Sequence, residues 1–174
     1  MAIILRNRQK RVPVETGWLR RVGVRALSVL ARPRAECSVL VVDDAAMAAL
    51  NRTYRRVAGP TDVLAFPMTE GRFGKAWPDL LGDVVISAET ARRQARVRKA
   101  DLRAELALLL VHGILHLVGY DHGTAEERRR MWHKQRTILA ACGIQASAAV
   151  RAIRAPAGGR PRAARPAPGR RRGE

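Results

Sequence analysis

The chain has 174 residues, which suits one domain with an extension. Hydrophobic residues make up 47% and aromatics only 4%, so a core can form, built mostly from Leu, Val, Ala and Ile. Thirty-three Lys and Arg against 15 Asp and Glu give a formal charge of +18, which points to nucleic acid or an anionic surface unless it only reflects Arg-rich codon usage.

Ala2 to Leu5 is a short apolar run that suits an edge strand, and it is too short for a signal peptide. No stretch of the chain reaches the length of a membrane span. Thr16 is a candidate helix cap, and Trp18, Leu19, Val22, Ala26, Leu27 and Leu30 recur at helical spacing up to about Arg32-Pro33. Arg20, Arg21 and Arg25 lie off that stripe, on a solvated face. Cys37 to Val42 is β-branched and apolar and reads as a buried strand. Asp43 and Asp44 cap a second helix with Met47, Leu50 and Tyr54 inward, ending near Arg55-Arg56. Gly59-Pro60 marks a turn before a strand over Thr61 to Phe66. Met68 to Pro78 is a loop. Leu81 to Ser87 is another strand, and Asp83 at its start serves a turn or orients a metal-binding histidine from behind. Ala88 to Lys99 is helical, with a cluster of Arg92, Arg93, Arg96, Arg98 and Lys99 that is either a solvated face or a phosphate-tracking surface. Cys37 and Cys142 are the only cysteines and neither sits in a CxxC, which fits a reducing cytoplasm.

Leu106 to Val118 is apolar almost all round, so the helix that follows Asp101 belongs in the core. His112 and His116 are four apart on one face of it. Gly119 supplies the turn that ends the helix, and His122 can then swing round to face the other two. Three imidazoles with an open fourth position are the ligand set of a catalytic zinc site, where a satisfied cluster of core histidines is the plainer alternative. The spacing HxxxHxxGxxH also matches metzincin proteases, whose general base is a Glu directly after the first histidine. Gly113 stands there, which disfavours peptide hydrolysis. Asp121 either orients an imidazole or serves the turn. Thr124 and Glu127 form a capping box for a last helix, Ala125 to about Ala141, with Met131, Ile138 and Leu139 inward and Gly143 as its stop. His133 on this helix reads as a surface residue.

His112-Gly-Ile-Leu-His-Leu-Val-Gly-Tyr-Asp-His122 resembles the signature of the YbeY-type endoribonucleases, the bacterial rRNA maturation proteins. Asn51-Arg-Thr-Tyr-Arg55, Pro60-Thr-Asp-Val-Leu-Ala-Phe-Pro67 and Leu81-Gly-Asp-Val-Val-Ile-Ser87 fit the same family in the same order, across roughly residues 35 to 142. Strand signals alternate with helices, so the class is α+β (mixed α/β) in a single domain. The resemblance implies a central mixed sheet packed against helices, with the metal-binding helix buried. It implies one Zn2+ held by His112, His116 and His122. It implies a catalytic Arg55 near the metal, where a guanidinium fork would hold the phosphodiester. The activity implied is single-strand endonuclease cleavage in rRNA maturation, including the 16S rRNA 3′ end, and in ribosome quality control. RNA and the 30S subunit are the implied partners, with no membrane and no DNA, in the cytoplasm. Arg56-Val57-Ala58 and Ala65 replace a glycine, a lysine and a serine usual in the family, so some RNA contacts differ. The alternatives are a ribosome-associated binding protein with structural zinc, closed by Cys37 or Cys142, and a metallopeptidase. The expected division is a catalytic domain over 1–146 and a basic, Arg/Ala/Pro-rich disordered tail over 147–174. Eight arginines and one glutamate from Val150 onward give that stretch +7, leaving +11 on the rest.

Overall fold

The computed structural model describes residues 3–68 and 77–144, and the predicted tail lies outside them. Four strands, β1 (Ile3–Asn7), β2 (Glu36–Val42), β3 (Val63–Pro67) and β4 (Leu80–Ser87), form one sheet in the order β1-β2-β4-β3. β1, β2 and β4 run parallel, and β3 closes one edge antiparallel to β4. The parallel pairings need crossovers, which α1 (Thr16–Val29) and α2 (Asp44–Arg55) supply. The remaining helices are α3 (Ala88–Val97), α4 (Leu102–Leu117) and α5 (Ala125–Ala141). This is the α+β fold with a mixed central sheet expected from the sequence.

Strand alternation sorts the core into two parts. Cys37, Val39 and Val41 of β2 and Val84 and Ile86 of β4 face α4 and α1 in the main core. Val42, Val85 and Leu64 face the other way and meet Met47 of α2. α4 is wrapped by the sheet, α1, α3 and α5, and eleven of its sixteen residues are buried. An all-round apolar sequence is what such a position requires.

Several local expectations shift. Thr16 is the first helical residue of α1, and Glu15 precedes it without a side-chain cap. Asp43 does cap α2, through Ala46 N–H at 2.9 Å. Asp44 instead turns across to α3, accepting from Ser87 and Thr90 hydroxyls at 2.6 and 2.7 Å and pairing with Arg93. Tyr54 is not inward: it is 50% exposed, with its ring edge-on to Phe66. Within the arginine cluster of α3, Arg93 pairs with Asp44 and Arg98 with Glu105, so these two are not free for phosphate.

Candidate metal centre

α4 carries His112 and His116 on one face, at the end of the helix that the core grips most tightly. Their Nε2 atoms are 3.2 Å apart, with ring planes at 78°. The chain then turns by a left-handed glycine. Gly119 has φ +92°, its N–H donates to His116 O at 3.1 Å, and Tyr120 N–H donates to Leu115 O at 3.0 Å. This paired closure is a Schellman motif, and it needs a residue that enters positive φ cheaply. Asp121 serves the turn that follows: its Oδ1 accepts the His122 N–H at 2.7 Å. His122 then stacks against His112 at 5.6 Å between centroids and stands 5.0 Å from His116. One ligand nitrogen from each of the three lies within 4.8 Å of the others.

The donor set fits a zinc ion. Two nitrogens at about 2.0–2.1 Å from a tetrahedral zinc sit roughly 3.3 Å apart, close to the separation of the two Nε2 atoms. Burial also favours the neutral form of His112 and His116, as ligation requires. Burial pushes His112 below the ordinary histidine range, with His122 adding to the effect against the opposing influence of Gln135 and Asp62. Burial, then His112 and His122, brings His116 down to about 4. Among the described residues no Cys, Asp or Glu joins the trio, so the fourth position is open to water or substrate. Cys37 is buried on the main-core face of β2, its thiol pushed up to about 12 by burial and by Asp83. Cys142 lies against Val22 O at the end of α5.

Gly113 faces the sheet, and not the open side. A Cβ there would meet Val84 Cγ1 at 2.6 Å and Val63 Cγ2 at 3.4 Å. The position that carries the general base in metzincins is here the point where α4 rests on β3 and β4. Asp83 likewise has no part in the centre. It alternates with Val84, so its side chain leaves the opposite face of the sheet, where it is exposed.

Two residues near the trio carry no motif signal of their own. Asp62 stands where β3 begins, and its charge reaches both His112 and Glu105. Its carboxylate is occupied, accepting from Val63 N–H at 2.8 Å and Gln94 Nε2 at 3.0 Å. Gln135 of α5 is buried, with Oε1 at 3.2 Å from His112 Nδ1. Arg55 ends α2, is half-buried, and has no hydrogen bond or ion pair among the described residues. Six residues separate it from Asp62, through a turn fixed by Asn51 Nδ2 donating to Gly59 O at 2.9 Å.

Residues 5–143 match the family model for endoribonuclease YbeY, reaching further toward the N-terminus than the motifs alone. An endoribonuclease YbeY from Geobacter metallireducens is 44% identical over 142 residues, covering 80% of this chain and 95% of that one. The Moorella thermoacetica relative of the same name is 50% identical over 117 residues, covering 64% of this chain and 75% of its own. In fold, the chain resembles a Thermotoga maritima protein solved in solution, with TM-score 0.59, 24% identity, and coverage of 80% and 88%. No helix among the described residues is long and apolar enough to cross a membrane. A match over four-fifths of the chain, with the three histidines gathered at one point, makes this protein a member of the YbeY endoribonuclease family.

Proposed function

We propose that this protein is a zinc-dependent endoribonuclease that cleaves single-stranded RNA during rRNA maturation, at the 16S rRNA 3′ end, and in ribosome quality control. The 30S subunit is its partner and the cytoplasm its compartment. The observation that carries the reading is the convergence of three imidazoles on one point, with no fourth protein ligand among the described residues. A zinc ion held by His112, His116 and His122 would lower the pKa of its water and polarise a phosphate oxygen. The chain's own residues supply the rest. The long buried helix α4 fixes two ligands on a rigid element, and the Gly119 turn fixes the third. Arg55 offers an unpaired guanidinium, whose fork matches two phosphate oxygens and stabilises charge that builds on them. The formal +18 draws a polyanion toward the site.

A structural zinc is the weaker reading, because structural sites are closed by four protein ligands and this donor set stops at three among the described residues. A metallopeptidase is weaker still, because position 113 faces Val84. The test is cleavage of a single-stranded rRNA fragment by wild type, His116→Ala and Arg55→Ala. Both variants should lose cleavage, the arginine variant by about 10²–10³-fold with its metal retained. Cleavage by His116→Ala at the wild-type rate would contradict the reading.

A further inference from the structure

One hydrogen bond of the imidazoles leaves the helix and turn that carry them. His112 Nδ1 lies 3.2 Å from Gln135 Oε1, twenty-three residues away on α5. Gln135 is 1% exposed, in a row where Met131, Ile138 and Leu139 are all fully buried. A buried amide costs about 1–3 kcal/mol unless it is bonded, so an apolar side chain would suit that row better on packing alone. Among the described residues the imidazole is the partner of this amide.

We propose that Gln135 is the positioning residue of the metal centre. Its carbonyl oxygen accepts the Nδ1–H of His112, fixes the tautomer that leaves Nε2 bare, and aims that lone pair at the point His116 and His122 also face. This rests on the reading of the trio as a zinc site. The orientation of the amide decides the chemistry. With its NH2 toward Nδ1, the imidazole proton would sit on Nε2, pointing at His116 Nε2 only 3.2 Å away, and no lone pair would be left for a ligand bond. With oxygen toward Nδ1, both requirements are met at once. The amide also adds no charge. A carboxylate at 135 would make His112 a stronger donor, as in carboxylate–histidine–zinc arrangements, but would place a negative charge behind a site that receives a phosphodiester. Gln135 therefore orients the ligand without adding negative charge to the centre.

The capping of α5 explains how the residue reaches its place. Thr124 and Glu127 form a full capping box directly after the His122 turn, with Thr124 N–H donating to Glu127 Oε2 at 2.8 Å. Eleven residues on, about three helical turns, Gln135 comes back over the imidazole of α4. The loop that delivers the third ligand thus starts the helix that steadies the first.

The experiment titrates zinc into the purified full chain against a chromogenic chelator, for wild type, Gln135→Leu and Gln135→Glu. Thermal melting of the metal-free forms checks folding. Gln135→Leu should bind zinc about 10–100-fold more weakly, and Gln135→Glu should equal or exceed wild type. A folded Gln135→Leu with wild-type zinc affinity would overturn the proposal and leave the zinc reading standing. Wild type that fails to bind zinc would overturn both. If Gln135→Leu does not fold, long-range proton–nitrogen NMR correlations on metal-free wild type decide the matter. A proton on Nδ1 of His112 supports the assignment, and a proton on Nε2 overturns it.

Discussion

Gly113 shows how far one missing side chain can shape a site. With a Cβ 2.6 Å from Val84 Cγ1, Gly113→Ala should destabilise the protein by about 1–3 kcal/mol in urea denaturation, and adding Val84→Ala should return part of that loss. Full additivity of the two substitutions would contradict the contact. Asp44 gives a prediction of the opposite kind, in pH. Burial pushes its carboxyl up, but hydrogen bonds from Arg93, Ser87 and Thr90 outweigh burial and hold it below the ordinary range. A depressed folded value means its contribution is present above the unfolded carboxylate pKa and is lost as pH falls through the folded one. Asp44→Asn should therefore be less stable than wild type near neutrality, with the gap closing in acid, as followed by thermal melts across pH. The three histidines were legible in the sequence because helix periodicity and one glycine turn fix their geometry within eleven residues. Gln135 was not, because only the packing of α5 on α4 brings it to His112. The choice between the two roles of Asp83 was not legible for a related reason: its place on a strand is local, but the face it takes depends on the parity of the whole sheet.

Helix ends are where the elements spend stability. α1 and α3 close like the metal helix, with paired bonds from Ala31 and Arg32 and from Lys99 and Ala100. Their left-handed residues are Ala31 at φ 56° and Lys99 at φ 51°, where α4 and α5 use glycine. Left-handed backbone costs a residue with a Cβ about 1 kcal/mol, so Lys99→Gly should stabilise the protein by roughly 0.5–1 kcal/mol. Gly119→Ala should cost a similar amount and also weaken zinc binding, because the turn carries His122; chelator competition reads the second effect. A Gly119→Ala protein with unchanged zinc affinity would show that the turn does not set the ligand. Glycines 119 and 143 and the Thr124 box were readable as helix punctuation because the residue types announce it. The ends at Ala31 and Lys99 were not, since neither type signals left-handed backbone. Thr16 was misread for the converse reason: a good capping residue one position late makes no cap bond.

The class of the whole molecule followed from alternating strand and helix patterns, whereas strand order did not. β4 inserting between β2 and β3 depends on long-range pairing that periodicity does not encode. The charge acts at this scale too. Residues from Val150 carry +7 of the +18, so a chain ending at residue 146 should bind single-stranded RNA more weakly with a shallower salt dependence, and still cleave at low salt. Fluorescence anisotropy across a salt series measures both; an unchanged slope would mean those arginines do not meet the phosphates. The account stands most directly on the metal centre. Elemental analysis of the protein purified without added chelator should find close to one zinc per chain in wild type, Cys37→Ser and Cys142→Ser, and almost none in His116→Ala. Zinc that survives His116→Ala, or that leaves with either cysteine, would contradict a three-histidine site with an open fourth position.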